Sequence, residues 1–227
     1  MNKTRLKKIL SSSMWLFWGL VFSPLKISGL IKINYPYNEF KNLKSPVIIA
    51  SNHRHPLDPF TIGVALFPFL IIRFLPMTPY AAPLHRLQKL GQRIAKKIGF
   101  LQIVYFIFNV TYIPEAATFF GKVAPLIAAI KNGQSVLIFP EGRVYKKSQT
   151  QIFKNGVAEL HLKTDVVIVP CAIHYFKTKF FYKTVVSLGT PIKIPRSIYD
   201  QDGLDGTAEL IRNEVDLLYR QIIRSVH

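Results

Sequence analysis

Near the start of the chain, apolar positions recur at three- and four-residue steps, at Leu6, Ile9, Leu10, Met14, Phe17 and Val21. Lys7, Lys8, Ser11 and Ser12 lie off that stripe, so the pattern predicts an amphipathic helix. Further on, short β-branched or apolar runs end in turn chemistry and predict strands over Val47–Ser51, Val136–Phe139, Val166–His174 and Thr184–Leu188. Helical patterns alternate with them. Asp58-Pro59 before an apolar run reads as a helix start, Phe119–Lys131 as a helix ended by Asn132-Gly133, and Ala208–Arg224 as a charged closing helix. Strands separated by helices predict an α/β fold, a single domain with a mixed, largely parallel sheet flanked by helices and with working loops at the strand ends. The division expected is residues 1–32 as an N-terminal segment and 33–227 as the domain.

The N-terminal run Met14–Phe22 is nine residues, against roughly 20 needed to span a bilayer. Ser23-Pro24-Leu25-Lys26 behind it lacks the small-x-small pattern of a cleaved leader. Two readings fit this helix. In one it lies in a membrane interface as an anchor, with Trp15 and Trp18 at the headgroups and Lys3, Arg5, Lys7 and Lys8 drawn to anionic lipid. In the other it is an ordinary amphipathic helix docked on the core. Phe60–Ile72, broken by Pro68, reads as a buried or half-submerged helix, and Ile98–Ile113 is a further apolar stretch too interrupted for a clean span.

Composition narrows the class. The 227 residues are 49% hydrophobic with a net charge of +18, and the mean hydropathy is +0.22, which excludes a disordered chain. Residues 1–199 hold 27 Lys+Arg against 6 Asp+Glu, and residues 200–227 hold 3 against 6. Such a basic body suits nucleic acid, an anionic membrane or acidic substrates. The aromatics, however, cluster in apolar runs such as Trp15–Phe22 and Tyr105–Phe108 instead of a basic groove, so no nucleic acid is expected. A lone Cys171 in an apolar run excludes an internal disulfide and reads as a packed thiol.

Candidate chemistry sits after two strands. The first gives Ser51-Asn52-His53-Arg54-His55-Pro56-Leu57-Asp58. A turn of this length folds Asp58 back onto the His53 imidazole, fixing one ring nitrogen and freeing the other as a base, or else Asp58 merely caps the helix that Pro59 begins. No nucleophilic Ser or Cys stands nearby in an elbow, so the simplest chemistry is activation of a substrate hydroxyl. His55 completes no metal-ligand spacing with the remaining histidines, and no metal is expected. The second strand gives Phe139-Pro140-Glu141-Gly142-Arg143-Val144-Tyr145-Lys146-Lys147. Here Gly142 permits a close turn, Arg143 offers a planar fork for phosphate, and Glu141 is placed to hold a hydroxyl or orient that arginine. By itself it also reads as a solvated surface turn.

Taken together, Asn52-His53-x4-Asp58 and Phe139-Pro140-Glu141-Gly142-Arg143 resemble the motifs of the glycerolipid acyltransferases of the lysophosphatidate acyltransferase (PlsC-like) family. Phe153-Lys154-Asn155-Gly156, Ile168–Ile173 and Gly189-Thr190-Pro191-Ile192 follow in that family's order, and the resemblance covers about residues 40–220. It implies transfer of a fatty acyl group from acyl-coenzyme A or acyl-carrier protein to a lysophospholipid hydroxyl, with 1-acyl-glycerol-3-phosphate the expected acceptor. It also implies His53 as base, Asp58 as its orienting acid, and Glu141, Gly142 and Arg143 at the acceptor, where Lys146 is expected as a further cation. No cofactor is implied beyond the acyl donor, and the expected place is the bilayer surface, monotopic, on the cytoplasmic face. A non-catalytic lipid-binding module on the same fold is the alternative. Two departures bear on the acceptor. The family's arginine falls one residue later, where Val144 stands, and its intermediate block ends here in Tyr105 instead of arginine. Lys96, Lys97, Lys146 or Lys147 are the cations left to replace them.

Overall fold

The structure is a computed structural model that describes residues 3–81, 108–112, 122–145 and 149–225. Within these, seven strands form one sheet in the order β1-β7-β6-β2-β5-β3-β4. They are β1 (Ile31–Asn34), β2 (Ile48–Ser51), β3 (Met77–Ala81), β4 (Thr111–Tyr112), β5 (Ser135–Ile138), β6 (Ile168–Lys177) and β7 (Tyr182–Leu188). β6 and β7 pair antiparallel, and every other neighbour pair is parallel. The expected mixed, largely parallel sheet is what forms. β2 and β5 are buried at every position, as continuous apolar runs demand of central strands covered on both faces.

Successive residues of each central strand serve opposite cores. Ile49, Leu137, Val169, Cys171 and Ile173 pack with α1 (Lys3–Ile27), α3 (Asp58–Leu66) and α4 (Phe69–Phe74). Ile48, Ala50, Val136, Ile138, Ile168 and Ala172 pack with α5 (Ala124–Lys131), α6 (Gly156–Thr164) and α7 (Arg196–Arg224). A short α2 (Tyr37–Lys41) supplies Phe40 to the first core. The period of two is thus what makes one sheet the middle of a three-layer sandwich.

α1 is docked on the core, the second of the two readings of its pattern. One face docks. Trp15 is fully buried, donates from its indole N–H to the Met77 carbonyl at 3.2 Å and meets Phe108 edge to face, and Trp18 packs on Phe22, Phe60 and Phe108. The expectation that Trp15 marks a headgroup boundary is therefore corrected, because inward aromatic packing takes it, while Trp18 is half-buried beside it. Lys26 turns inward as well, donating to the carbonyls of Ala65 and Phe67 at the end of α3, and burial lowers its pKa. The opposite face leaves Leu6, Ile9, Leu10, Phe17, Leu20, Val21 and Ile27 exposed, an apolar stripe on the outside of the molecule. Among the described residues no helix is long and apolar enough to cross a membrane.

Several boundaries differ from the expected ones. The Phe60–Ile72 run splits into α3 and α4, with Pro68 at the start of the second helix. α7 begins at Arg196, well before Ala208, kinking at Gly203, whose φ of 66° lies in the left-handed region. α5 begins at Ala124; Phe119–Gly121 and most of Ile98–Ile113 fall outside the described residues.

Candidate active site

β2 ends at Ser51, and the next residue anchors the loop beyond it. The Asn52 amide donates to the Ile173 carbonyl at 3.0 Å and accepts from the Ile173 N–H at 2.8 Å, continuing the β2–β6 pairing through a side chain while the backbone is released into a turn. That turn carries His53 to the C-terminal end of the parallel strands and returns at Asp58, the first residue of α3.

Asp58 is fully buried, and its carboxylate faces back into the turn. Its Oδ2 lies 2.8 Å from His53 Nδ1 and accepts the backbone N–H groups of Arg54 at 2.6 Å and His55 at 2.8 Å. Its Oδ1 accepts the Tyr175 hydroxyl at 2.6 Å. The carboxylate therefore gathers the preceding turn and does not cap the following helix, whose N-cap has no side-chain bond. Because Nδ1 faces a carboxylate, it carries the ring proton, and Nε2 holds a lone pair. No bond to Nε2 forms among the described residues. The ring stacks on Phe139 at 4.3 Å between centroids, with part of its edge open to solvent.

The second turn is tied to the first by Glu141. This buried carboxylate accepts the His53 N–H at 3.1 Å and the Gln151 N–H at 3.0 Å. Burial raises its pKa, a shift opposed by those two N–H groups and by the Arg54 charge. Tyr145 N–H adds a bond to the His53 carbonyl at 2.9 Å. Glu141 does not orient Arg143. That arginine is exposed, donating from Nε to the Tyr145 hydroxyl at 2.6 Å and lying over the same ring. Gly142 has a φ of 76°, and a Cβ there would stand 2.6 Å from Lys154 Nζ, so the ammonium lies across the turn where any side chain would displace it. Lys146, expected here, lies outside the described residues, as do Lys147, Lys96, Lys97 and Tyr105.

Two groups were not picked out from the sequence as site residues. Tyr175 reaches Asp58 from β6, far along the chain, and nothing local marks it. Arg54, given no role in the sequence reading, is only 8% exposed. Its guanidinium donates to the carbonyls of Tyr145 at 3.2 Å and Gln149 at 3.0 Å and stacks over Tyr219 at 4.6 Å. Cys171 is sealed beneath the site, and burial pushes its thiol up to about 12, which suits a packed thiol. The first turn of α3 has few free donors. Asp58 N–H bonds the His55 carbonyl, Pro59 has none and Thr61 N–H bonds the Leu57 carbonyl, which leaves Phe60. Among the described residues no group of three or more His, Cys, Asp or Glu side chains is placed to hold a metal ion.

Comparison with known proteins gives the family and the fold. A family model described as Acyltransferase matches residues 32–174, more than half of the chain. A 1-acyl-sn-glycerol-3-phosphate acyltransferase of Borreliella burgdorferi is 28% identical over 159 residues, covering 69% of this chain and 56% of that protein. A glycerol-3-phosphate O-acyltransferase 1 of Saccharomyces cerevisiae is 38% identical over 77 residues, 30% of this chain and 10% of that one. The chain thus spans about half or less of the length of these relatives. The fold is similar to the crystal structure of the 1-acyl-sn-glycerophosphate (LPA) acyltransferase, PlsC, from Thermotoga maritima. The TM-score is 0.59 at 15% identity, over 96% of this chain and 83% of that one.

Proposed function

The chain belongs to the acyltransferase family, and from that premise we propose that it moves a fatty acyl group from an acyl thioester to a hydroxyl of a lysophospholipid at a membrane surface. The observation that carries this reading is the 2.8 Å contact between His53 Nδ1 and Asp58, with Nε2 on the unbonded edge of the ring. A base so placed takes the acceptor's hydroxyl proton as that oxygen attacks the thioester carbonyl; the tetrahedral oxyanion then collapses, the C–S bond breaks, and the departing thiol takes the proton back from Nε2. Asp58 keeps Nδ1–H in place and stabilises the imidazolium in between. Such a base contributes roughly 10²–10⁴-fold in rate. Phe60 N–H, at the start of α3, is the donor nearest in sequence for the oxyanion.

1-Acyl-glycerol-3-phosphate is the acceptor favoured here, being the substrate in the name of the Borreliella relative. Lys154 and Arg143 beside Gly142 supply the cations its phosphate needs. The membrane part of the reading rests on the outer stripe of α1, an interfacial surface too short in apolar length to span. Acyl-coenzyme A, with its phosphates, and an acidic carrier protein both suit a basic body. The test offers detergent-purified protein labelled acyl-coenzyme A and acyl-carrier protein with a panel of lysolipids differing in headgroup. Acylated lysophosphatidate is the product expected; no product with any donor would leave a lipid-binding module on this fold.

A further inference from the structure

β6 and β7 do not stop at the site. Register sets Ser51 opposite Cys171, Asn52 holds Ile173 and Tyr175 reaches Asp58, so β6 passes the His53 turn and carries on outward. At ~3.3 Å per residue the turn at the hairpin tip begins about 10 Å beyond Tyr175. The tip is Thr178–Phe181, and it is fixed by its own bonds. Thr178 N–H donates to the Phe181 carbonyl at 2.8 Å, and Phe181 N–H donates to Thr178 Oγ1 at 3.0 Å. On this rigid turn Phe180 is 76% exposed, Phe181 58% and Tyr182 61%. Lys177, Lys179 and Lys183 flank them, all exposed, and no Asp or Glu occurs between Asp165 and Asp200. Three adjacent aromatics held in water by an ordered turn call for a partner that is apolar inside and anionic at its surface.

The sheet says which surface lies beside them. β1 is parallel to β7 with Ile31 opposite Thr184, and Thr184 N–H bonds the Leu30 carbonyl at 2.7 Å. The C-terminal end of α1, with Ile27 86% exposed, therefore rises at the same end of the sheet as the hairpin tip and the His53 turn. We infer that the β6–β7 tip is a second membrane contact, with Phe180, Phe181 and Tyr182 wedged among lipid headgroups and Lys177, Lys179 and Lys183 on their phosphates. Together with the α1 stripe it holds the mouth of the site against an anionic bilayer. This rests on the protein acting at a lipid surface and is independent of its transfer chemistry. An acidic carrier protein would satisfy the lysines but leave three aromatics without an apolar phase.

The test uses the full chain. Wild type, Phe180→Ser/Phe181→Ser and His53→Ala are sedimented with vesicles of phosphatidylcholine alone or with about one third phosphatidylglycerol. The double variant should partition at least about tenfold more weakly onto the mixed vesicles, with unchanged melting, while His53→Ala matches wild type. Replacing Lys177, Lys179 and Lys183 by Gln should flatten the dependence on anionic lipid. A Phe180→Cys protein carries one accessible thiol at this tip beside the buried Cys171, and an environment-sensitive dye there should shift to the blue on vesicles; this readout decides if the double variant folds poorly. Equal partition by wild type and double variant with an unshifted dye overturns the hairpin contact alone. A dye that responds to acidic carrier protein and not to vesicles overturns it in favour of protein docking. No vesicle binding by wild type overturns both this contact and the membrane reading of the function.

Discussion

The two turns of the candidate site are built on different terms. In the first, Asp58 is buried and takes donors from His53, Arg54, His55 and Tyr175, so the base has one position and one tautomer. In the second, the buried carboxylate is Glu141, which binds the first turn; past it, Arg143 is exposed against a tyrosine ring and Lys154 lies in the open across Gly142. In the proposed reaction the chemistry rests on buried polar bonds and acceptor recognition on surface cations. Damage to the first should be abrupt, and damage to the second graded and sensitive to salt.

The largest effect that would sharpen this contrast is Asp58→Asn. An amide there sets an N–H₂ group against donors already pointing at it and abolishes the preference for Nδ1–H, so turnover should fall by roughly 10³–10⁴-fold in a steady-state assay. A loss of only a few-fold would break the contrast. Glu141→Ala comes next. It leaves the His53 and Gln151 N–H groups without their acceptor, and the melting curve should show about 1–3 kcal/mol of lost stability together with slower turnover. Lys154→Ala should be mild, raising KM for a phosphate-bearing acceptor by about three- to tenfold with kcat nearly kept, a difference that shrinks in high salt.

The smallest effect concerns pH. Burial raises the Glu141 pKa above the ordinary 4.5, so the folded chain holds that proton more firmly than the unfolded one. Its contribution is complete below 4.5 and declines as pH climbs from there to the raised folded value. Glu141→Gln cannot titrate, so denaturation of the pair across this window should show the variant gaining on wild type as pH rises. A gap that stays constant would remove burial as the dominant influence on this carboxylate.

Legibility in the sequence followed locality. β2, β5, β6 and β7 announce themselves as apolar runs closed by turn residues. β1 does not, because Ile31–Asn34 alternates on an edge, and β3 conceals itself behind Pro79. The extended start of α7 is masked by Pro195 and by the Asp202-Gly203 and Asp205-Gly206 pairs, which read as turns. His53 and Asp58 meet across a short loop, which spacing reveals. Tyr175 meets Asp58 only because β6 lies beside β2, and Arg54 is buried only because Tyr219 of α7 covers it; both depend on tertiary packing. Likewise the periodicity of α1 identified two faces, but which one docks was decided by the fit of Trp15 against Phe108.

One measurement bears most directly on the whole account: single-turnover acyl transfer by wild type and His53→Ala, both shown to melt alike and to bind vesicles alike. The account predicts that the variant binds lipid normally and transfers acyl groups about 10²–10⁴-fold more slowly. Equal rates from the two proteins would contradict it.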